Sequence, residues 1–269
     1  MFSQGHLLWI VISAALIALG LAFCLRRRPP LRRVLTVCMW AGVVSEVIKF
    51  FSASVIVPMV DPVVVTGGGD AALQWLPTGE YTPYLAMEHL PLELCSLYLF
   101  FMLLALVGKD GAWKKWLYAV MFASGTLGGL MGIVLASIAG DYATTASFFT
   151  SVRAWQFFLY HAMIVTVSVY IGVSGESGLA FTDWKKALLG LAALDVPTFY
   201  LNSVFSSEVY VQNQVVGVTH RINFFSSYVN PLGLVLTEKW QWLVYLALRA
   251  SGAAAAVILL YLLLKRKGA

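Results

Sequence analysis

Charge is what this sequence has least of. Only 12% of its 269 residues are Asp, Glu, Lys or Arg, while 60% are hydrophobic; a soluble domain carries about 25% charged residues. That leaves almost no room for a soluble domain, and a mean hydropathy of +0.81 points to a chain that crosses a membrane several times. Cysteine is scarce too. Cys24, Cys38 and Cys95 are the three present, which excludes a disulfide framework. The histidines His6, His89, His161 and His220 share no ligand spacing with them, so no metal and no cofactor is expected. No glycine-rich phosphate loop lies between a strand and a helix, and there is no serine elbow. The absence of an internal repeat removes the inverted-repeat signature of many transporters. No basic stretch precedes the first apolar run, and arginines follow it, which marks a retained anchor rather than a cleaved signal.

What the chain does contain is apolar runs of membrane length. Seven spans of roughly 20 residues, the length a bilayer core demands, are expected near Leu7–Leu25, Val34–Val57, Tyr84–Val107, Trp113–Ile138, Ser151–Val173, Trp184–Phe205 and Lys239–Leu264. The fold class is therefore an all-α polytopic membrane bundle forming one domain over residues 1–269. The basic residues alternate between connections. Arg26, Arg27, Arg28, Arg32 and Arg33 fill the first, Lys109, Lys114 and Lys115 the third, Lys185 and Lys186 the fifth, and Lys265, Arg266 and Lys267 the tail. The positive-inside rule then puts the N-terminus outside and the C-terminus in the cytoplasm. The net charge of +5 is accounted for by this placement, so no nucleic-acid partner is expected. Two outer connections are long, near 58–83 and 206–238. The first, with Gly67, Gly68 and Gly69, reads as a folded or hairpin-like cap. In the fourth span Ser124, Gly128 and Gly132, and again Gly125 and Gly129, recur every four residues, a spacing that lets helix backbones approach closely in lipid.

Polar groups sunk in lipid are costly and are usually kept for function. Cys95, His161, Asp195 and Arg249 each fall about ten residues from the outer end of their spans, and Glu46 and Lys49 about eight to eleven, so ionisable groups share a layer roughly 12–17 Å deep. Glu46 and Lys49 are three apart, share a helix face and can pair. Asp195, Thr198 and Asn202 form a polar stripe. Pro91 and Pro197 each remove a backbone hydrogen bond and loosen their helices. Glu93 lies on the His89 side of its helix, away from Cys95. The bland reading stays open pair by pair: Glu46 with Lys49, and Arg249 with Asp195 or Glu93, are ion pairs that hold helices together. Cys24 and Cys38 read as small apolar side chains.

The runs Leu90-Pro91-Leu92-Glu93-Leu94-Cys95 and Gln156-Phe157-Phe158-Leu159-Tyr160-His161, with Asn202 and Asn223-Phe224, resemble the motifs of the YwaF-type bacterial integral membrane proteins. That family is similar to the eukaryotic transmembrane acyltransferase that builds ether-linked polyunsaturated phospholipids, and more distantly to the androgen-induced hydrolases of fatty-acid esters of hydroxy fatty acids. The resemblance implies an intramembrane cysteine–histidine chemistry whose cysteine falls on Cys95 and whose histidine falls on His161. It also implies a place in the bacterial cytoplasmic membrane. About twenty residues separate Asn202 from Asn223, so the outer connection is enlarged relative to the family.

The expectation is thus a lipid acyltransferase or lipid-ester hydrolase with a thioester intermediate, acting on a phospholipid or lysophospholipid. Cys95 is the nucleophile and His161 its base. Lys49 and Arg249, with Glu46, are candidates to hold a phosphate or carboxylate. Asn202 and Asn223 are candidates to steer the imidazole or donate to the oxyanion. Glu93 and Asp195 are further supporting residues, and the oxyanion hole is left unassigned. The alternative is a carrier or ligand-binding receptor with the same layer as its site, and a third reading is a packing role alone. The oligomeric state is left open.

Overall fold

In the computed structural model, residues 3–67, 70–85, 94–136, 138, 142, 144–211, 214–220 and 237–265 are described. The chain is mostly helical. Helix α1 (Gln4–Arg27) begins at Ser3, whose side chain accepts the His6 amide, and ends where Arg28 adopts a left-handed conformation and returns its N–H to Cys24 O. Pro29 and Pro30 prevent continuation, and α2 (Leu31–Ala53) starts directly after them. A two-stranded antiparallel hairpin follows, β1 (Val55–Gly67) with β2 (Asp70–Tyr84), Val55 opposite Tyr84 and Gly67 opposite Asp70. The hairpin-like cap expected for this connection is present, and it is longer than expected at both ends. Strand residues occupy Val55–Val57, given above to the second span, and Tyr84, given to the third.

Helix α3 (Leu94–Val107) has 14 residues, fewer than a bilayer core requires. Helix α4 (Ala112–Ala123) continues through a π turn at Ser124–Gly128 into α5 (Gly129–Val134). A short α6 (Thr145–Thr150) leads to α7 (Val152–Val173), capped by Ser151, whose side chain accepts the Ala154 amide. A single 3-10 turn precedes α8 (Trp184–Val204), which carries Pro197 in its interior. A second antiparallel hairpin, β3 (Ser206–Val211) with β4 (Gln214–His220), stands in the other long connection. Helix α9 (Lys239–Lys265) closes the chain. Among the described residues six helices are long and apolar enough to cross a membrane, and α3 is a shorter apolar helix. The purely α-helical expectation is corrected by the two hairpins. Both fall in the connections rather than in the spans, because in lipid only helices and closed barrels satisfy every backbone group.

Helix α7 is the centre of the bundle, packed against α1, α2, α4, α5 and the π turn. Gly125, Gly129 and Gly132 of the fourth span face it, while Gly128 meets Leu94 of α3. A Cβ placed on Gly125 would collide with Ser168 Oγ and stand 2.5 Å from a Tyr98 ring carbon; one on Gly129 would stand 2.6 Å from Val165. These residues have no space to be larger. The close approach lets Ser168 donate to Tyr98 Oη at 2.6 Å, joining α7 to α3 inside an apolar core.

Candidate functional site around Cys95 and His161

Cys95 is the second residue of α3 as described and is half-buried. Its peptide is tied to α7, because Tyr160 Oη donates to Cys95 O at 2.9 Å. Tyr160 is itself buried beside α2, where its ring lies 3.5 Å from the Cβ that Gly42 lacks. The residue next to Cys95, Ser96, is buried and bridges an ion pair: Lys49 Nζ donates to Ser96 Oγ at 3.0 Å, and Ser96 Oγ donates to Glu46 Oε1 at 3.2 Å. Lys49 and Glu46 pair directly across one helical turn, and Lys49 is only 8% exposed. One turn away, Gln156 Nε2 donates to Ser45 Oγ at 2.8 Å, while Arg153 donates to Gln156 Oε1. A polar seam therefore runs from Arg153 on α7 through Ser45, Glu46 and Lys49 on α2 to Ser96 on α3.

His161 is buried on α7, 5% exposed. Its Nδ1 lies 2.7 Å from Phe157 O. A carbonyl can only accept, so Nδ1 carries the proton and Nε2 of the neutral ring keeps its lone pair. The Nε2 edge is turned to α5, where a Cβ on Gly132 would stand 2.6 Å from it. Gly132 thus makes the room this edge of the ring occupies. The hydrogen bond of the ring stays within its own helix rather than crossing to Cys95, and the link between the two helices at this level is made by Tyr160.

Asp195 on α8 pairs with Arg249 on α9, side chains 31% and 23% exposed. Of the two partners considered for Arg249, the described contact is with Asp195. Thr198 Oγ1 turns back to donate to Asp195 O at 2.6 Å, and Asn202 is fully buried one turn further on. Among the described residues no hydrogen bond or ion pair joins this cluster to the Glu46–Lys49–Ser96 cluster. Among the described residues the polar layer read from depth thus shows two paired clusters, one between α2 and α3 and one between α8 and α9. Glu93, Asn223 and Pro91 lie outside the described residues.

A family model, the TMEM164 family, matches residues 1–264. The chain belongs to the TMEM164 family. This is a family of membrane proteins, in accord with the six span-length helices. No curated protein and no solved structure matches the chain.

For this member of the TMEM164 family, sequence reasoning overlooked Ser96, Gln156 as a linker, and Tyr160 as the tie between α3 and α7. Ser96 offered one usable signal, a hydroxyl beside a candidate nucleophile. Nothing in spacing along the chain connects Ser96 with Glu46 and Lys49, which are fifty and forty-seven residues away. Among the described residues no group of three metal-ligating side chains stands together.

Proposed function

We propose that this protein is an intramembrane lipid acyltransferase or lipid-ester hydrolase that uses Cys95 as nucleophile and His161 as base. The observation that carries the reading is the hydrogen bond from Tyr160 to the Cys95 carbonyl, which ties the peptide bearing the thiol to the residue beside the imidazole. The tautomer held by Phe157 O supports it further, since it leaves Nε2 as the basic nitrogen. In the reaction Nε2 takes the Sγ proton and the thiolate adds to the ester carbonyl of a phospholipid. The C–O bond to the departing alcohol breaks, and His161 returns the proton to that oxygen. The acyl group rests on Sγ as a thioester until a lysolipid hydroxyl or water, deprotonated by Nε2, displaces it. The resemblance to YwaF-type proteins and their acyltransferase relatives points the same way. On this reading α3 is part of a seventh span, and the alternation of basic connections sets the N-terminus outside and the C-terminus in the cytoplasm of a bacterial membrane.

A carrier or receptor reading draws on the two paired clusters instead, with Lys49 or Arg249 exchanging its carboxylate partner for a solute anion. The two separate on covalent chemistry. Purified protein is given phospholipid with a labelled acyl chain, and a hydroxylamine-sensitive adduct is sought on Cys95. The expected result is label on Cys95, loss of turnover by about a hundredfold or more in Cys95→Ser and in His161→Gln, and full turnover in Cys24→Ser and Cys38→Ser. Undiminished turnover in Cys95→Ser would end the thiol mechanism. Absence of turnover together with saturable binding of an anionic solute, lost in Arg249→Met, would favour the carrier.

A further inference from the structure

A second feature stands apart from Cys95. A cavity of about 760 Å³ is lined by α1, α2, α7 and the Arg26–Arg33 connection between the first two. Its walls are apolar, from Leu16 and Phe23 on α1, Val34 and Val37 on α2, and Leu159 and Met163 on α7. Its rim carries Arg27, Arg28 and Arg33. From Leu16 to Arg28 the wall of α1 is about 18 Å long at ~1.5 Å per residue, a little over half the ~30 Å core of a bilayer and hence the reach of one leaflet.

The rim is held in place by the fold. Both Glu176 carboxylate oxygens accept the Leu31 amide, at 3.1 and 3.0 Å, so the nearby acid is turned onto backbone. Tyr170 Oη donates to Pro29 O at 2.6 Å, and Leu31 and Leu35 are buried below. Arg28 sits at φ 46, a left-handed conformation that is unfavourable for a residue with a Cβ and persists only where its surroundings impose it. With the backbone fixed, the side chains of Arg27, Arg28 and Arg33 are exposed, and among the described residues they make no hydrogen bond or ion pair. The positive-inside rule explains why arginines occupy this connection. It does not explain why three of them ring an apolar cavity.

We propose that this groove binds one anionic membrane phospholipid from the leaflet at the arginine end, with an acyl chain between α1, α2 and α7 and the phosphate among Arg27, Arg28 and Arg33. Guanidinium groups suit this role, because their planar forks take two phosphate oxygens at once. The groove lies on the face of α7 that carries Leu159, Ala162 and Thr166, whereas the His161 ring packs against Gly132 of α5. It is therefore a lipid site separate from the proposed chemistry, and its failure would leave the Cys95 reading untouched.

The test reconstitutes the full chain in phosphatidylcholine vesicles doped with a phospholipid bearing a photoreactive diazirine on its acyl tail. One arm uses phosphatidylglycerol as the probe and the other phosphatidylcholine. Labelled peptides are mapped by mass spectrometry. Phosphatidylglycerol should label the 16–38 and 159–167 peptides about tenfold more than phosphatidylcholine does. Arg27→Gln/Arg28→Gln/Arg33→Gln should abolish that preference. Arg26→Gln/Arg32→Gln removes as much charge as two of those substitutions from the same connection but off the rim, and should keep it. Val37→Trp, which fills the groove with the arginines intact, should suppress labelling by both probes. Equal labelling by the two probes, loss of preference in Arg26→Gln/Arg32→Gln to the same degree as in the rim variant, or unchanged labelling in Val37→Trp would each overturn the proposal.

Discussion

Helices α7 and α9 look alike as sequence and differ entirely in position. Both are apolar and of span length, 22 and 27 residues. Yet 72% of the apolar window of α7 is buried inside the protein, against 11% for α9. The difference teaches that hydropathy reports the bilayer and is silent on neighbours. Lipid tails are as apolar as leucine, so exposing Leu259 or Leu263 of α9 to lipid costs nothing that burying them would recover. What separates the helices is size and polarity at the contact. The partners facing α7 bring Gly125, Gly129 and Gly132, while among the described residues Gly252 of α9 has nothing within 4 Å of the Cβ it lacks. Among the described residues, the contacts of helix α9 include Tyr261 Oη donating to Ala119 O at 3.0 Å and the Arg249–Asp195 pair.

The sharpest way to break the comparison is to put the same side chain on both sides of it. Gly125→Leu must displace Ser168 and Tyr98 at once, and overpacking a core costs about 1–3 kcal/mol even where neighbours can shift. Here the obstructing atoms belong to a buried hydrogen bond, so Gly125→Leu should fail to accumulate as folded protein on size exclusion in detergent. Gly252→Leu should behave as wild type in the same assay. Similar behaviour of the two would mean that α7 is not packed against the π turn.

A smaller effect is expected from the ion pairs, where the comparison becomes one of burial. Lys49→Met leaves Glu46 facing Ser96 in the interior, and breaking a buried pair costs about 3–5 kcal/mol. Arg249→Met leaves Asp195 at a site about a third exposed and should cost less. Thermal unfolding in one detergent would rank them, and a larger loss for Arg249→Met would contradict the assignment of the α2–α3 seam as the more buried of the two. The smallest effect belongs to Ser168→Ala, which removes one buried donor to Tyr98 and should cost about 1 kcal/mol by the same measurement. A cost as large as that of Lys49→Met would show that this hydrogen bond, rather than close packing, holds α3 to α7.

The candidate site was only partly legible. Cys95 and His161 stood out because ionisable or nucleophilic groups are rare in lipid and these two shared a depth. The pairing of Glu46 with Lys49 followed from a spacing of three on one helix. The pairing of Arg249 with Asp195 did not, because depth alone does not select a partner and the contact depends on the adjacency of α8 and α9. Ser96 and Tyr160 were missed for the same reason: a hydroxyl on a membrane helix has many partners at its own depth. The groove at Arg27, Arg28 and Arg33 was read only as a topology signal.

By itself, then, the amino-acid sequence determined that this chain is a membrane protein with several apolar helices of span length, that the 58–83 connection is folded, and which helix carries the small residues for close packing. Each of these follows from local quantities, namely hydropathy, charge and spacing along one element. Only the tertiary structure decided that α7 is the centre, that Glu46 and Lys49 meet Ser96 while Arg249 meets Asp195, that Gly132 makes room for the His161 ring, and that three arginines ring an apolar cavity. The physical reason is that inside a bilayer the hydrophobic effect places each helix in the lipid but does not choose its neighbours. That choice rests on short-range packing and a few hydrogen bonds between residues far apart in the chain.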